Sequence, residues 1–318
     1  MRSLFFASLF CLLAGSALRG EEFLPGVKRI VFLGDSITYA GEYVDYVEAY
    51  LAVHYPERKF EVIDVGLPSE TVSGLSEEGH AGGAFPRPDA HERLDRVLAK
   101  TKPDLVFACY GMNDGIYLPF AEERFAKFRD GIVRLHAKVE AAGAKIIHLT
   151  PPTFDPVKNR AVPRGAKGSE KPFEVYNDTL GRYSEWLLGQ RERSKGWRVF
   201  DVHGAMDQAL AERRANDPEF RFAGDGVHPG AAGHWVIARA VLDGLGLATD
   251  DFTTNPRYTD LIKLVRQRGR ILADAWLTDT GHKRPGMAKG LPLAEAQAKA
   301  AELEPKIREA AAALGGNP

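Results

Sequence analysis

Short, continuous apolar runs alternate along the chain with longer stretches in which apolar residues recur every three or four positions. The continuous runs predict five buried strands, at residues 29–33, 60–65, 105–110, 145–149 and 197–202. The periodic stretches predict amphipathic helices, at residues 43–54, 91–100, 125–142 and 174–190. Strands that alternate with helices form a parallel sheet covered on both faces. We therefore predict an α/β fold, a flavodoxin-like three-layer α/β/α sandwich with a five-stranded parallel sheet.

The alternation ends near residue 245, so we predict one α/β domain over residues 25–245 and a helical C-terminal extension over residues 246–318. Within the extension, helices are predicted at residues 250–269 and 293–314. The segment between them carries Trp276 and His282. A structural appendage that packs back on the domain is the favoured interpretation. A dimer interface, or a contribution of these two side chains to the wall of a cleft, stays open.

The N-terminus has the three parts of a secretory signal peptide. Arg2 precedes an apolar stretch at residues 4–13, and small residues follow at positions 14–17. The apolar stretch is too short for a typical membrane span. We predict a signal peptide at residues 1–17, with cleavage after Ala17 and export of the mature chain to the periplasm or the extracellular space.

Composition and charge exclude some classes of protein. A chain of 318 residues that is 44% hydrophobic can bury a large core, and its formal charge of −1 argues against a nucleic-acid partner. After removal of the signal peptide, Cys109 is the one remaining cysteine, so no internal disulfide can form. Its apolar neighbours predict a buried structural thiol and not a nucleophile.

Three residues have the chemistry of a serine hydrolase. Ser36 follows the first predicted strand in the turn Gly34-Asp35-Ser36, and Asp225 precedes His228 by three positions. A serine hydroxyl needs a base to accept its proton and a third group to orient that base. Ser36, His228 and Asp225 can fill these roles. The surrounding sequence is not the Gly-x-Ser-x-Gly turn of the α/β-hydrolases, which argues against that fold family.

Two further strand ends supply groups that can stabilise an oxyanion. Gly66 follows the second predicted strand, and Asn113 follows the third. The ends of parallel strands share one edge of the sheet, where loops build sites. The N–H groups of Ser36 and Gly66 and the side chain of Asn113 can together hold the negative charge that develops during acyl transfer. The Gly66 assignment depends on the whole set, since glycine ends many strands for turn reasons alone.

At these residues the sequence resembles the SGNH hydrolases, also called the GDSL esterase/lipase family. Four blocks carry the resemblance, in the family's order: Gly34-Asp35-Ser36-Ile37-Thr38, the Gly66 segment, Gly111-Met112-Asn113-Asp114 and Asp225-Gly226-Val227-His228. The resemblance spans residues 30–238 and implies the same three-layer fold, so residues 25–245 are the predicted SGNH hydrolase domain.

The resemblance also implies a role for each matching residue. It makes Ser36 the nucleophile, His228 the general base and Asp225 the residue that orients the base. It makes the backbones of Ser36 and Gly66 and the side chain of Asn113 the oxyanion donors. No metal or other cofactor is expected, because the sequence has neither His-Glu-x-x-His nor Cys-x-x-Cys.

The resemblance does not fix the substrate, since members of the family cleave esters of sugars, lipids, thiols and small aryl alcohols. Two polar segments, residues 68–89 and 150–171, are candidate specificity loops, and the first is expected to overlie the site because it follows Gly66. A solvated excursion without such a role is the alternative for these loops. Their composition and the predicted export favour an acetyl ester of a carbohydrate, with a small-molecule or glycan ester as the ligand. A lipid esterase, a lysophospholipase or a thioesterase is the alternative enzyme. A non-catalytic glycan-binding protein is the alternative of another class.

Overall fold

The computed structural model describes residues 23–155, 175–247 and 250–315. Five strands form one sheet in these segments: β1 Arg29–Gly34, β2 Glu61–Asp64, β3 Leu105–Cys109, β4 Lys145–Leu149 and β5 Val199–Phe200. All neighbouring strands pair in parallel, in the order β2-β1-β3-β4-β5. The predicted five-stranded parallel sheet is confirmed.

Ten α-helices accompany the sheet in the described segments. They are α1 Ser36–Ala40, α2 Glu42–His54, α3 Ala90–Thr101, α4 Glu122–Ala141, α5 Tyr176–Arg193, α6 Val202–Arg214, α7 Ala231–Gly244, α8 Thr259–Thr280, α9 Leu293–Ala301 and α10 Glu304–Gly315. Two short 3₁₀ turns lie at His80–Gly83 and Pro256–Tyr258. None of the helices in the described segments has the length and apolar character of a membrane span.

The sheet separates two apolar cores, because successive side chains of a strand point to opposite faces. Ile30 and Phe32 of β1 pack into the core that α2, α6 and α7 cover. Val31 and Leu33 pack into the core that α3, α4 and α5 cover. The predicted three-layer α/β/α sandwich is confirmed. Cys109, at the end of β3, is buried and free, as its apolar neighbours predicted.

The strand order places a crevice at the ends of β1 and β3. The chain passes from β1 to β2 on one side and later returns to pair β3 on the other side of β1. In an open parallel sheet, ligands bind where the direction of winding reverses in this way, beyond the carboxyl ends of the strands. Ser36 follows β1 and Asn113 follows β3, so both lie beside this crevice.

The C-terminal extension is helical, as predicted, but its boundaries differ from the prediction. The first helix begins at Thr259 and not at residue 250, because Asn255 caps a 3₁₀ turn that starts at Pro256. The predicted helix 293–314 is divided into α9 and α10. Pro305 explains the break, since proline lacks an N–H and its ring would clash with the carbonyl of Ala301, four positions earlier, if one helix continued through both.

The extension packs along the edge of the sheet and is not a detached appendage. Helix α8 lies against β2, α2 and α3, while α9 and α10 pack on α8. Trp276 of α8 is buried in the core beneath α3 and α4. This position removes the alternative in which Trp276 forms a cleft wall. The predicted domain boundary between residues 245 and 246 stays a prediction.

Two of the sequence predictions fall largely on residues outside the described segments. The predicted signal peptide, residues 1–17, lies wholly outside them. The polar loop predicted at residues 150–171 is described only as far as residue 155. The other polar loop, residues 68–89, is described throughout.

Candidate active site

Ser36 occupies a sharp turn between a buried strand and a short helix. Strand β1 ends at Gly34, and Asp35 caps α1 by accepting a hydrogen bond from the Ile37 N–H at 2.9 Å. Ser36 is therefore the first residue of α1, and the cap is its neighbour Asp35. The first N–H groups of a helix have no acceptor within the helix, so the Ser36 N–H is available to a ligand. Ser36 itself is only partly buried.

The three residues of the predicted triad lie in hydrogen-bond contact. Ser36 Oγ is 2.8 Å from His228 Nε2, and His228 Nδ1 is 2.6 Å from Asp225 Oδ2. The carboxylate accepts the Nδ1 proton, which leaves Nε2 as the acceptor for the serine hydroxyl. The structure thus brings together two segments that are 192 residues apart in the chain.

The loop that carries Asp225 and His228 is fixed by backbone hydrogen bonds. The Gly230 N–H donates to Phe222 O at 2.8 Å, and the Asp155 N–H donates to Gly226 O at 2.9 Å. Within the loop, the His228 N–H donates to Asp225 Oδ1, also at 2.8 Å. The position of the His228 imidazole is therefore fixed by hydrogen bonds from both its backbone N–H and its ring nitrogen.

Asp225 stays ionised in this setting. Partial burial raises the pKa of its carboxyl, but hydrogen bonds from the backbone and ring of His228 and from the Val227 N–H outweigh that effect. The net result lowers the pKa of Asp225 to about 2. A carboxylate that is charged across the neutral range can stabilise the imidazolium that forms when His228 takes a proton.

Asn113 is buried, and its amide orientation is fixed. Its Oδ1 accepts hydrogen bonds from Arg87 Nη1 at 2.9 Å and from the Tyr117 hydroxyl at 3.1 Å. Two donors on the oxygen assign the other end of the amide as the NH₂ group. That group contacts Glu70 O at 3.2 Å and Asp35 Oδ2 at 3.4 Å.

Asp35 links the nucleophile turn to Asn113 and is itself buried. Desolvation raises the pKa of Asp35 to about 7, although the Ile37 N–H and His228 act in the opposite direction. Its contact with the Asn113 amide is long, at 3.4 Å. An incoming oxyanion can therefore compete for this amide proton, since a hydrogen bond to a charged acceptor is stronger than this contact.

Gly66 does not have the free N–H that the sequence analysis assigned to it. Its N–H donates to Asp64 Oδ1 at 2.8 Å. A Cβ at this position would lie 2.3 Å from the Tyr39 nitrogen and 2.7 Å from the Thr38 carbonyl carbon. Glycine is needed here because α1 approaches the backbone closely. We correct the prediction accordingly: Gly66 supports the nucleophile turn and is not assigned as an oxyanion donor.

Ser69 presents a backbone N–H beside the nucleophile, which was not predicted from the sequence. It lines the same cavity as Ser36 and Asn113, and its φ of +69° is in the left-handed region that favours glycine. Within the described segments, its N–H donates no hydrogen bond to the protein. A strained non-glycine residue with a free N–H beside a nucleophile is typical of a functional site. We assign the second backbone donor to Ser69.

The site opens into a cavity of about 540 Å³. Its walls come from Ser36 and His228, from the loop at residues 68–89, from the turn after β3 and from the C-terminal extension. The lining residues are Ser36, Pro68, Ser69, Glu77, Gly79, His80, Ala81, Gly82, Arg87, Asn113, Tyr117, His228 and Arg284. Most of these are polar or small. In the segments that the structure describes, no group of three or more His, Cys, Asp and Glu side chains could hold a metal ion.

Glu77 and Arg87 stiffen the loop that covers the cavity. Arg87 Nε and Nη2 donate to the two carboxylate oxygens of Glu77, each at 2.6 Å. Such a two-point ion pair fixes both side chains. We expected this loop to overlie the site. Arg87 was not predicted, because the sequence of a polar loop does not show which of its arginines becomes buried.

Comparisons with known proteins identify the family of this chain and several relatives. A model of the GDSL-like lipase/acylhydrolase family matches residues 32–236. An acetylxylan esterase from Geobacillus stearothermophilus is 26% identical over 240 residues, which cover 69% of this chain and 94% of the relative.

Two solved structures share the fold. A catalytic mutant of the acetylxylan esterase Axe2 from Geobacillus stearothermophilus superposes with a TM-score of 0.51 at 22% identity, covering 70% of this chain and 97% of that one. BT4096, a gut microbial diltiazem-metabolizing enzyme, superposes with a TM-score of 0.53 at 23% identity, covering 69% of this chain. The match spans about half of BT4096, 47% of its length.

The family match covers more than half of the chain and includes Ser36, Asn113, Asp225 and His228. It supports a carboxylesterase-type hydrolase. The chain belongs to the GDSL-like lipase/acylhydrolase family, the SGNH hydrolases that its four sequence blocks resemble.

Proposed function

We propose that this protein is a serine esterase that removes acetyl groups from carbohydrates. The observation that carries the proposal is the continuous array from Asp225 through His228 to Ser36, which opens beside Asn113 into a cavity lined mostly by polar and small residues. An array of this kind activates a hydroxyl for attack on an acyl carbon.

In the first half of the reaction, Ser36 Oγ attacks the carbonyl carbon of the ester. Its proton passes to His228 Nε2, 2.8 Å away, and the carbonyl π electrons move onto oxygen. The tetrahedral intermediate then collapses, and His228 gives the proton to the departing alcohol. An acetyl group remains on Ser36. Asp225 keeps the imidazole oriented and offsets its positive charge.

Three donors are assigned to the oxyanion: the N–H groups of Ser36 and Ser69 and the NH₂ group of Asn113. Preorganised donors stabilise the charge without reorganising during the reaction. The hydrogen bonds from Arg87 and Tyr117 to Asn113 Oδ1 provide that preorganisation for the side-chain donor.

In the second half, water attacks the acetyl carbonyl carbon and His228 accepts a proton from it. The intermediate collapses to acetate and free Ser36, and the proton returns from His228 to the serine oxygen. The same donors hold the second oxyanion.

Two observations support an acetylated carbohydrate as the substrate. One relative, matched over 94% of its length, is an acetylxylan esterase. The cavity wall offers hydrogen-bonding groups suited to sugar hydroxyls, including Glu77, His80 and Arg87, and no Leu, Ile, Val, Phe or Met of the described segments lines it, as a long acyl chain would require. Export through the signal peptide that the sequence predicts at residues 1–17 would bring the enzyme to such a substrate.

The test is acetate release from acetylated xylo-oligosaccharides, together with hydrolysis of 4-nitrophenyl acetate and octanoate. Wild type is expected to prefer acetyl esters, and Ser36→Ala is expected to abolish turnover. Ser194→Ala, at the end of α5 and outside the cavity, is the matched control. A preference for octanoate would indicate a lipid esterase. Ligand binding without turnover of any ester would indicate a glycan-binding protein.

A further inference from the structure

One wall of the catalytic cavity comes from the C-terminal extension. Between α8 and α9, residues 281–292 return toward the site, and Arg284 lines the cavity that holds Ser36 and His228. The sequence analysis named His282 as a possible wall residue. The structure assigns that position to Arg284, two residues further along.

The segment that carries Arg284 is anchored at both ends. Arg96 on α3 donates from Nε to Thr280 O at 2.9 Å and from Nη2 to Gly281 O at 3.2 Å. At the other end, the Gly290 N–H donates to Thr278 Oγ1 at 2.8 Å. A Cβ on Gly290 would lie 2.3 Å from the Asp274 carbonyl, so the backbone packs tightly there. These contacts fix the position of the segment on α8 and α3.

The charge of Arg284 has no counterion in the described part of the chain. Nη1 donates to Pro285 O at 3.0 Å and lies 3.1 Å from Met287 Sδ, and neither partner is charged. Nε is enclosed and has no hydrogen-bond partner among the described residues. The guanidinium carbon stands 5.2 Å from the centre of the Phe85 ring.

Arg87, which lines the same cavity, differs from Arg284 because its positive charge is paired with a carboxylate. It is held by both oxygens of Glu77 at 2.6 Å, whereas no described carboxylate lies within ion-pair distance of Arg284. Desolvation also lowers the pKa of Arg284, as expected for a partly enclosed cation without an acid beside it. Enclosing a charge without a counterion costs free energy. An anion bound beside Arg284 would offset that cost.

We propose that Arg284 binds a carboxylate on the substrate, so that the enzyme acts on acetylated sugars that carry an acid group, such as O-acetylated uronic acids. The planar guanidinium matches a carboxylate better than it matches a neutral hydroxyl. Phe85 lies beneath Arg284 and orients it. This inference rests on the proposed esterase function and narrows its substrate class.

The test compares two substrates that differ in one group. Acetate release is measured from mono-O-acetylated methyl galactopyranosiduronate and from mono-O-acetylated methyl galactopyranoside, where a hydroxymethyl group replaces the carboxylate. Wild type is expected to show a kcat/KM about tenfold to a hundredfold higher on the acid, the range expected for a hydrogen-bonded charge pair. Arg284→Met is expected to lose this preference while retaining its turnover of the neutral sugar.

The neighbouring cation provides the matched control. The Lys283 side chain is 80% exposed and lies outside the cavity, so Lys283→Met removes the same charge without touching the site. It is expected to keep the preference for the acid. Arg284→Lys, which keeps the charge and loses the planar fork, is expected to retain part of it.

Several outcomes would overturn the proposal. Wild type that treats both sugars alike, or Arg284→Met that slows both equally, would show that Arg284 has no role in recognising the acid. A stronger preference for an O-sulfated galactoside than for the uronate would overturn the carboxylate assignment. Absence of turnover on either sugar and on 4-nitrophenyl acetate would instead overturn the esterase function, on which this inference rests.

Discussion

At the scale of single residues, the organisation of the site depends on Asn113. Its oxygen accepts from Arg87 and Tyr117, while its NH₂ group contacts Asp35 and the Glu70 carbonyl. Four other residues of the active site are thus coupled through one amide. Sequence reasoning identified Asn113 because it follows a strand beside the nucleophile. The hydrogen-bond partners of Asn113 could not be predicted, because Arg87 and Tyr117 meet Asn113 only in the folded state.

Asn113→Ala is expected to lower kcat by about a hundredfold to a thousandfold, the usual effect of losing one side-chain oxyanion donor. The measurement is steady-state hydrolysis of 4-nitrophenyl acetate, with circular dichroism to verify the fold. Undiminished turnover by a folded Asn113→Ala protein would remove this residue from the proposed mechanism.

Tyr117→Phe tests the orientation of that donor. It removes one hydroxyl that donates to Asn113 Oδ1 and leaves the ring in place. A neutral hydrogen bond contributes about 1 kcal/mol, so kcat is expected to fall several-fold, up to about tenfold, with little change in KM. A rise in KM at unchanged kcat would show that Tyr117 contacts the substrate and does not position Asn113.

At the scale of elements, the predicted strands and helices were confirmed where apolar periodicity is strong. The parallel strands are buried on both faces, so their runs are continuous and easily read. The errors lie at turns and ends. Gly66 was assigned to the oxyanion because it ends β2, whereas its absent side chain makes room for α1. Ser69 was not predicted, because the sequence does not show that its backbone adopts the left-handed conformation.

Asp114, in the turn after β3, is expected to make the free energy of unfolding depend on pH. Asp114 is fully buried; burial raises its pKa from 3.8 to about 6, against hydrogen bonds from Ser73, and its Oδ2 has no partner in the described segments. The folded state therefore binds this proton more tightly than the unfolded state. The stabilisation is fully present below about pH 3.8 and is lost as the pH rises through about 6.

Asp114→Asn is expected to remove this dependence. Its free energy of unfolding relative to wild type should rise between pH 4 and pH 6, by on the order of 1 kcal/mol per pH unit. Urea unfolding at several pH values gives the measurement. Asp95→Asn, which changes a carboxylate that is 73% exposed, is the control. A constant difference between Asp114→Asn and wild type across this range would contradict the account.

At the scale of the whole molecule, the C-terminal extension packs more closely on the α/β domain than the change in sequence pattern near residue 245 suggests. Helix α8 covers the edge strand β2 and buries Trp276 among residues of the main sheet. Arg268 on α8 pairs with Glu48 on α2 and with Glu304 on α10. The amphipathic pattern of residues 246–318 predicted helices, but it could not show which face of the domain they cover. Only the folded chain places Arg284 in the catalytic cavity.

A chain that ends at residue 245 is expected to fold poorly. The truncation exposes the apolar face of β2 and α2 and leaves the buried carboxylate of Glu48 without Arg268. The expected result is aggregation or a large fall in melting temperature, measured by scanning calorimetry. A chain lacking only residues 316–318 is the control. A truncated chain with the stability of wild type would identify the extension as a separate appendage.

Active-site labelling shows whether Ser36 forms the acyl-enzyme, as the proposed mechanism requires. The protein is treated with a 4-nitrophenyl alkylphosphonate, which reacts with an activated serine, and the labelled peptide is located by mass spectrometry. The account predicts one adduct per chain, on Ser36, with esterase activity lost in proportion to labelling. An adduct on another residue, or full activity in protein labelled at Ser36, would contradict it.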